Sequence, residues 1–127
     1  MSNINEIRAI LNQYLDAIRL GKPELLDGIF HKMGVFSCPS EDDILIYHDP
    51  AEKFGNYLRT RLAEPEYNAS FHGTIESIDQ HGAIASALVH EFSLGGSDFV
   101  SLFTLNQVSG RWVITASSSG PMPASPA

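Results

Sequence analysis

A chain of 127 residues, 43% hydrophobic and 18% charged, can bury one core and leaves no length for a second domain. Fifteen acidic residues against eight Lys and Arg give a net charge of −7, and no basic cluster follows a phosphate backbone, which excludes nucleic acid as a partner. No apolar run approaches the roughly 20 residues that span a bilayer, and Asn3, Asn5, Glu6 and Arg8 interrupt any signal-peptide core, so no membrane segment is expected.

From Ile4 to Leu20 the apolar residues Ile4, Ile7, Leu11, Tyr14, Leu15 and Ile18 recur at three- and four-residue steps, the spacing of one helical stripe. Ser2 or Asn3 can cap its start, and Gly21 suits the left-handed residue that ends such a helix. Lys22-Pro23-Glu24 restarts the chain, and a short second helix is expected from Pro23 to Phe30. Val35 to Cys38 and Ile44 to Tyr47 read as short strands around a polar loop, Ser40 to Asp43. Asp49-Pro50-Ala51-Glu52 is a helix start, with Asp49 capping and Glu52 reaching back, and the helix runs to about Leu62.

Asn68 to Asp79 alternates as a strand, with Phe71, Gly73, Ile75 and Ser77 on one face and Ile78 on the other. Gly82, the pair Gly95-Gly96, and Ser109-Gly110 then mark hairpins between strands Ala83 to Leu94, Asp98 to Val108 and Arg111 to Ser119. Residues 120–127, with three prolines and no charge, are expected to be a flexible tail after a single domain spanning 1–119. The fold class is α+β: N-terminal helices packed on a strongly curved, mostly antiparallel sheet that forms a half-open cone.

This order of elements resembles the nuclear transport factor 2-like superfamily, which includes ketosteroid isomerases and polyketide cyclases. The resemblance covers about residues 4–119. It rests on Leu11-Asn12-Gln13-Tyr14-Leu15-Asp16-Ala17-Ile18 with Gly21, Leu25-Leu26 and Ile29-Phe30 at the front. At the end, Asp98-Phe99-Val100-Ser101-Leu102-Phe103 and Gly110-Arg111-Trp112-Val113-Ile114 resemble the closing hairpin of the branch named for lumazine binding. In the ketosteroid isomerases a helix tyrosine and a late-strand acid polarise a carbonyl while a second acid moves the proton. Tyr14 matches that tyrosine; the base position falls at Cys38 and the late acid at Ser101 or Leu102. Neither is a carboxylate, which disfavours steroid-type isomerisation.

Strand counting together with the resemblance points His90 into the cone, between Leu88 and Phe92, and Glu91 outward. The resulting expectation is a largely apolar pocket for a small apolar or aromatic molecule, lined by Tyr14, Cys38, Tyr57, His90, Ser101 and Phe103. The alternative is an isomerase, cyclase or dehydratase in which His90 takes a proton next to a carbonyl and Tyr14 hydrogen-bonds the enolate. No cofactor is implied. Nor is a metal expected, because His31, His48, His72, His81 and His90 show no close ligand spacing. Ala85, Ala87 and Val89 form an apolar face opposite His90; outside the cone it would need covering, which predicts a homodimer through the sheet. The single cysteine, Cys38, fits a reducing compartment and a cytoplasmic location.

Overall fold

The computed structural model describes residues 4–123; the expected caps Ser2 and Asn3 and the tail residues 124–127 lie outside them. Helix α1 spans Ile4–Arg19 and buries Ile7, Leu11, Tyr14, Leu15, Ala17 and Ile18. It ends as its sequence dictates. Gly21 takes φ +66°, the Gly21 N–H donates to Ile18 O and the Lys22 N–H to Ala17 O, which together satisfy the last carbonyls. Asn68 Nδ2 adds a bond to Ile18 O at 2.9 Å.

The expected second helix is shorter, a single 3₁₀ turn over Pro23–Leu26. Gly28 then turns at φ +83°, and Ile29 and Phe30 enter the sheet instead of continuing a helix. Strands β1 (Phe30–Pro39) and β2 (Ile44–His48) pair antiparallel around the 40–43 loop. Helix α2 spans Pro50–Leu62. Asp49 precedes it in a left-handed conformation and makes no side-chain cap; its carbonyl, not its carboxylate, accepts the first N–H groups, from Glu52 and Lys53.

Strands β3 (His72–His81), β4 (Ile84–Leu94), β5 (Ser97–Val108) and β6 (Arg111–Pro121) follow in successive hairpins. The six strands form one sheet in the order β2-β1-β6-β5-β4-β3, with β1 and β6 parallel and every other pair antiparallel. β2 and β3 remain unpaired edges, so the curved sheet stays open. β6 extends through Pro121, into the stretch expected to be a loose tail, because Phe99 pairs with Pro121 and the Met122 N–H donates to Asp98 O.

Two irregularities fix which side chains face the helices. In β3 the pairing shifts between Ile75 and Ser77, leaving Glu76 as an extra residue. Ile75 and Ile78 therefore both pack on the core, where simple alternation puts them on opposite faces. In β4 the pairing with β5 shifts between Glu91 and Leu94, with Ser93 at φ +61°. The Ser93 N–H donates to Asp98 Oδ1 at 2.9 Å, so this backbone donor is not left unpaired.

Ala85, Ala87, Val89 and Glu91 consequently point inward and are buried. This reverses the expectation that the alanines and Val89 lie on the outside and His90 on the inside. Small residues suit this face, because α1 lies close over it: a methyl at Gly73, across from Glu91, would come within 2.5 Å of Leu15 Cδ2. The outer face carries a cross-strand row, Ile46, Ser37, Ser118, Leu102 and Leu88, in which Leu102 and Ile46 are 58% and 53% exposed. Among the described residues, no helix is long and apolar enough to cross a membrane.

Candidate functional site

The helix stripe that builds the core also delivers Tyr14, fully buried and surrounded by aromatic rings. Phe103 meets it edge-on at 5.0 Å, and Phe30, Phe36 and Phe54 lie within 6.3 to 6.5 Å. Phe36 and Phe54 stack at 4.2 Å, and Tyr47 and Tyr57 extend the same wall. Into this apolar surround β4 inserts a carboxyl group. The Tyr14 hydroxyl donates to Glu91 Oε2 at 3.3 Å, the Ser101 hydroxyl donates a short hydrogen bond to Glu91 Oε1, and Ser119 Oγ lies 2.7 Å from Ser101 Oγ. Four elements, α1, β4, β5 and β6, thus meet in one polar cluster.

This cluster forms the polar end of a hollow of about 90 Å³ lined by Tyr14, Glu91 and Ser119 together with Phe36, Phe54, Tyr57 and Leu94 among others. A wider groove of about 470 Å³ runs over the surface between α1 and Trp112. It gathers Glu6, Gln13, Asp27 and Arg111 at an open surface. The smaller hollow holds the buried acid and is the candidate site.

Burial pushes the Glu91 carboxyl up to about 7, against the opposing pull of the hydrogen bonds from Ser101 and Tyr14. Tyr14 is held well above the usual phenol range, first by burial and then by the charge of Glu91, so its hydroxyl stays a donor. Burial also raises the Cys38 thiol, which makes it a poorer nucleophile than an ordinary cysteine.

Of the residues expected to line a pocket, Tyr14, Cys38 and Tyr57 border the hollow. Ser101 lies directly behind Glu91, and Phe103 packs under Tyr14, both fully buried. His90 is elsewhere. It faces the outer side, 3.3 Å from Glu76 Oε1, with 29% of its side chain exposed. The one-residue register change at Ser93 separates His90 from the site and brings in Glu91, which sequence reasoning assigned outward. The available signal was Asp98 beside a Gly-Gly turn, a side chain able to hold a bulge. Among the described residues, no cluster of three or more His, Cys, Asp or Glu could hold a metal ion.

A family model described as "Putative lumazine-binding" matches residues 2–118. A solved NTF2-like protein of unknown function from Methylobacillus flagellatus superposes with TM-score 0.81 at 23% identity, covering 95% of this chain and 93% of that one. A domain with a cystatin-like fold from Nostoc punctiforme gives 0.79 at 14% identity, covering 96% and 78%. A putative dehydratase of the NTF2-like family from Streptomyces avermitilis gives 0.68 at 15%, covering 96% and 97%. At these identities the likeness is one of fold. Among curated proteins, none matches the chain.

The perturbed carboxyl has a measurable thermodynamic consequence. Glu91 binds a proton more tightly when folded, about 7, than the ordinary value of 4.5, so the native state holds the extra proton between those pH values. Its contribution is favourable at low pH and declines as pH rises from 4.5 through 7, by on the order of 3 kcal/mol in total. Glu91→Gln removes this dependence. Urea unfolding at pH 5 and pH 8 should show the variant gaining on the wild type by a few kcal/mol at the higher pH, and a constant difference would refute the buried acid.

Proposed function

The chain belongs to the family described as "Putative lumazine-binding", within the NTF2-like superfamily, and we propose that its half-open cone binds a small, largely apolar ring compound. The observation that carries this reading is a buried carboxyl, with its two hydroxyl partners, opening into an aromatic-walled hollow. Apolar walls with a few convergent polar groups are the usual composition of a small-molecule site. The volume of about 90 Å³ is below the roughly 150 Å³ that holds a benzene molecule in a dry cavity. Even one ring therefore enters only if lining side chains such as Tyr57 or Leu94 move aside, and two fused rings require a larger rearrangement. A thermal-shift panel of monocyclic aromatic compounds should raise Tm for the wild type. Cys38→Phe, which fills the hollow, should lose that rise; a rise that persists in this variant places binding elsewhere.

Glu91 also favours a second reading, proton transfer next to a carbonyl, with Glu91 in the role first given to His90. A carboxylate poised near neutrality is matched to such work. The ionised carboxylate takes the proton from carbon, and the Tyr14 hydroxyl, which donates to Glu91 at rest, turns its one proton to the enolate oxygen as Glu91 becomes protonated. Incubating the protein with cyclohexanone in D2O and following the α-carbon by NMR tests this. Deuterium incorporation should rise with pH through about 7 and vanish in Glu91→Gln, and a variant that exchanges at the wild-type rate removes Glu91 as the base.

A homodimer through the outer sheet face is the third element of the proposal. Leu88, Val100 and Leu102, with Ile44 and Ile46 on β2, supply the apolar surface, in place of the alanines first assigned to it. Short serines between them, Ser37 and Ser118, permit close approach of a second sheet. Sedimentation at micromolar concentration should give a dimer that Leu102→Glu dissociates; a monomeric wild type rules it out.

A further inference from the structure

Arg61 gives the hollow a charge preference that its lining lacks. None of the residues bordering the hollow is cationic, yet the Arg61 guanidinium carbon sits 5.2 Å from the ring centroid of Tyr67 and 5.9 Å from that of Tyr57, and both tyrosines border it. Arg61 stands one helical turn beyond Tyr57 on α2, so the helix that supplies part of the aromatic wall also lays this cation over two of its rings.

A hydrogen bond with the Tyr67 hydroxyl and an ion pair with Glu64 hold the Arg61 guanidinium but leave part of it unpaired. Its Nε is buried without a hydrogen-bond acceptor, which is costly for a charged donor. Its acidic neighbour, Glu64, lies 3.3 Å from Nη1 in a pair whose side chains are 41% and 50% exposed, a kind of contact that contributes little. Burial raises the Tyr67 phenol, and a hydrogen bond from Arg61 together with its charge offsets part of that rise. Tyr67 is itself fixed: the Gly95 N–H donates to its carbonyl at 2.8 Å, and a methyl at Gly95 would lie 2.9 Å from its ring. Tyr67 is therefore closely packed beneath the guanidinium.

Resting on the reading of the hollow as a ligand site, we propose that its ligands are ring-bearing acids, with the ring between the aromatic walls and a carboxylate or phosphate oxyanion against Arg61. The planar guanidinium fork suits either oxyanion. In a protein with a net charge of −7, a fixed local cation is what makes an anionic ligand acceptable.

Calorimetric titration of the full chain at pH 6, where Glu91 is mostly protonated, with phenylacetate and with its neutral analogue phenylacetamide tests this. The acid should bind about tenfold more tightly, the effect of one charge-assisted contact. Arg61→Gln should erase that preference, bringing the two Kd values together, and Arg61→Lys should restore part of it. Equal affinity of the wild type for both compounds, a comparison needing no variant, overturns the role of Arg61 and leaves the pocket standing; so does a preference that survives in Arg61→Gln. Binding of neither compound overturns the pocket reading and this assignment together.

Discussion

Between Glu91 and Leu94 the β4 and β5 ladder slips by one residue, and the face of every neighbouring side chain depends on that slip. Counting straight back from the Gly95-Gly96 turn would pair His90 with Ser101 and send it inward. With Ser93 bulged at φ +61°, Glu91 instead faces Phe99 and His90 faces Val100. Side-chain direction in a strand has a period of two, so one inserted residue exchanges the two faces completely. A compensating bulge at Glu76 in β3 keeps the next strand in step, so that Gly73 and Ile75 as well as Ile78 face the core. The bulged Glu76 lies 3.3 Å from His90 Nδ1 on the outer face.

The inward carboxyl is the costly element of this core. Desolvation disfavours its charged form, and the protein compensates only in part, with hydroxyls from Tyr14 and Ser101. An apolar residue in its place would be the simpler way to fill this space. A titrating group in a hollow walled by Phe36, Phe54 and Tyr57 is the feature that marks this hollow as the candidate site. The same wall, continued through Tyr57 and Tyr67 to Arg61, runs from a titrating, hydrogen-bonding end to a cationic one.

The resemblance to ketosteroid isomerases implies an acid at Ser101 or Leu102, and that position holds no carboxylate. The structure does bring a carboxyl beside Ser101 from the adjacent strand, with Ser101 as its hydrogen-bond donor. Position-by-position transfer misses this because a cross-strand neighbour can supply a group that the aligned residue lacks.

Much of this fold was legible in the chain. The stripe from Ile7 to Ile18, the end at Gly21, the start at Pro50 and the hairpins at Gly82, Gly95-Gly96 and Ser109-Gly110 follow from local spacing and turn chemistry, and they give the element order and the family resemblance. Tyr14, on a well-marked helical stripe, was also readable as an inward residue, since 3.6-residue periodicity is insensitive to distant partners. Strand faces were not. The roles of Glu91 and His90 depend on a bulge that is held by an Asp98 contact and by pairing with other strands. Likewise Pro23 to Phe30 satisfied helical patterning, yet Gly28 and the pairing of Phe30 with Ile114 drew its end into the sheet. Sequence by itself determined the elements because they are set by near neighbours; the tertiary structure alone decided which side of each strand meets the hollow, because register is a property of strands held together.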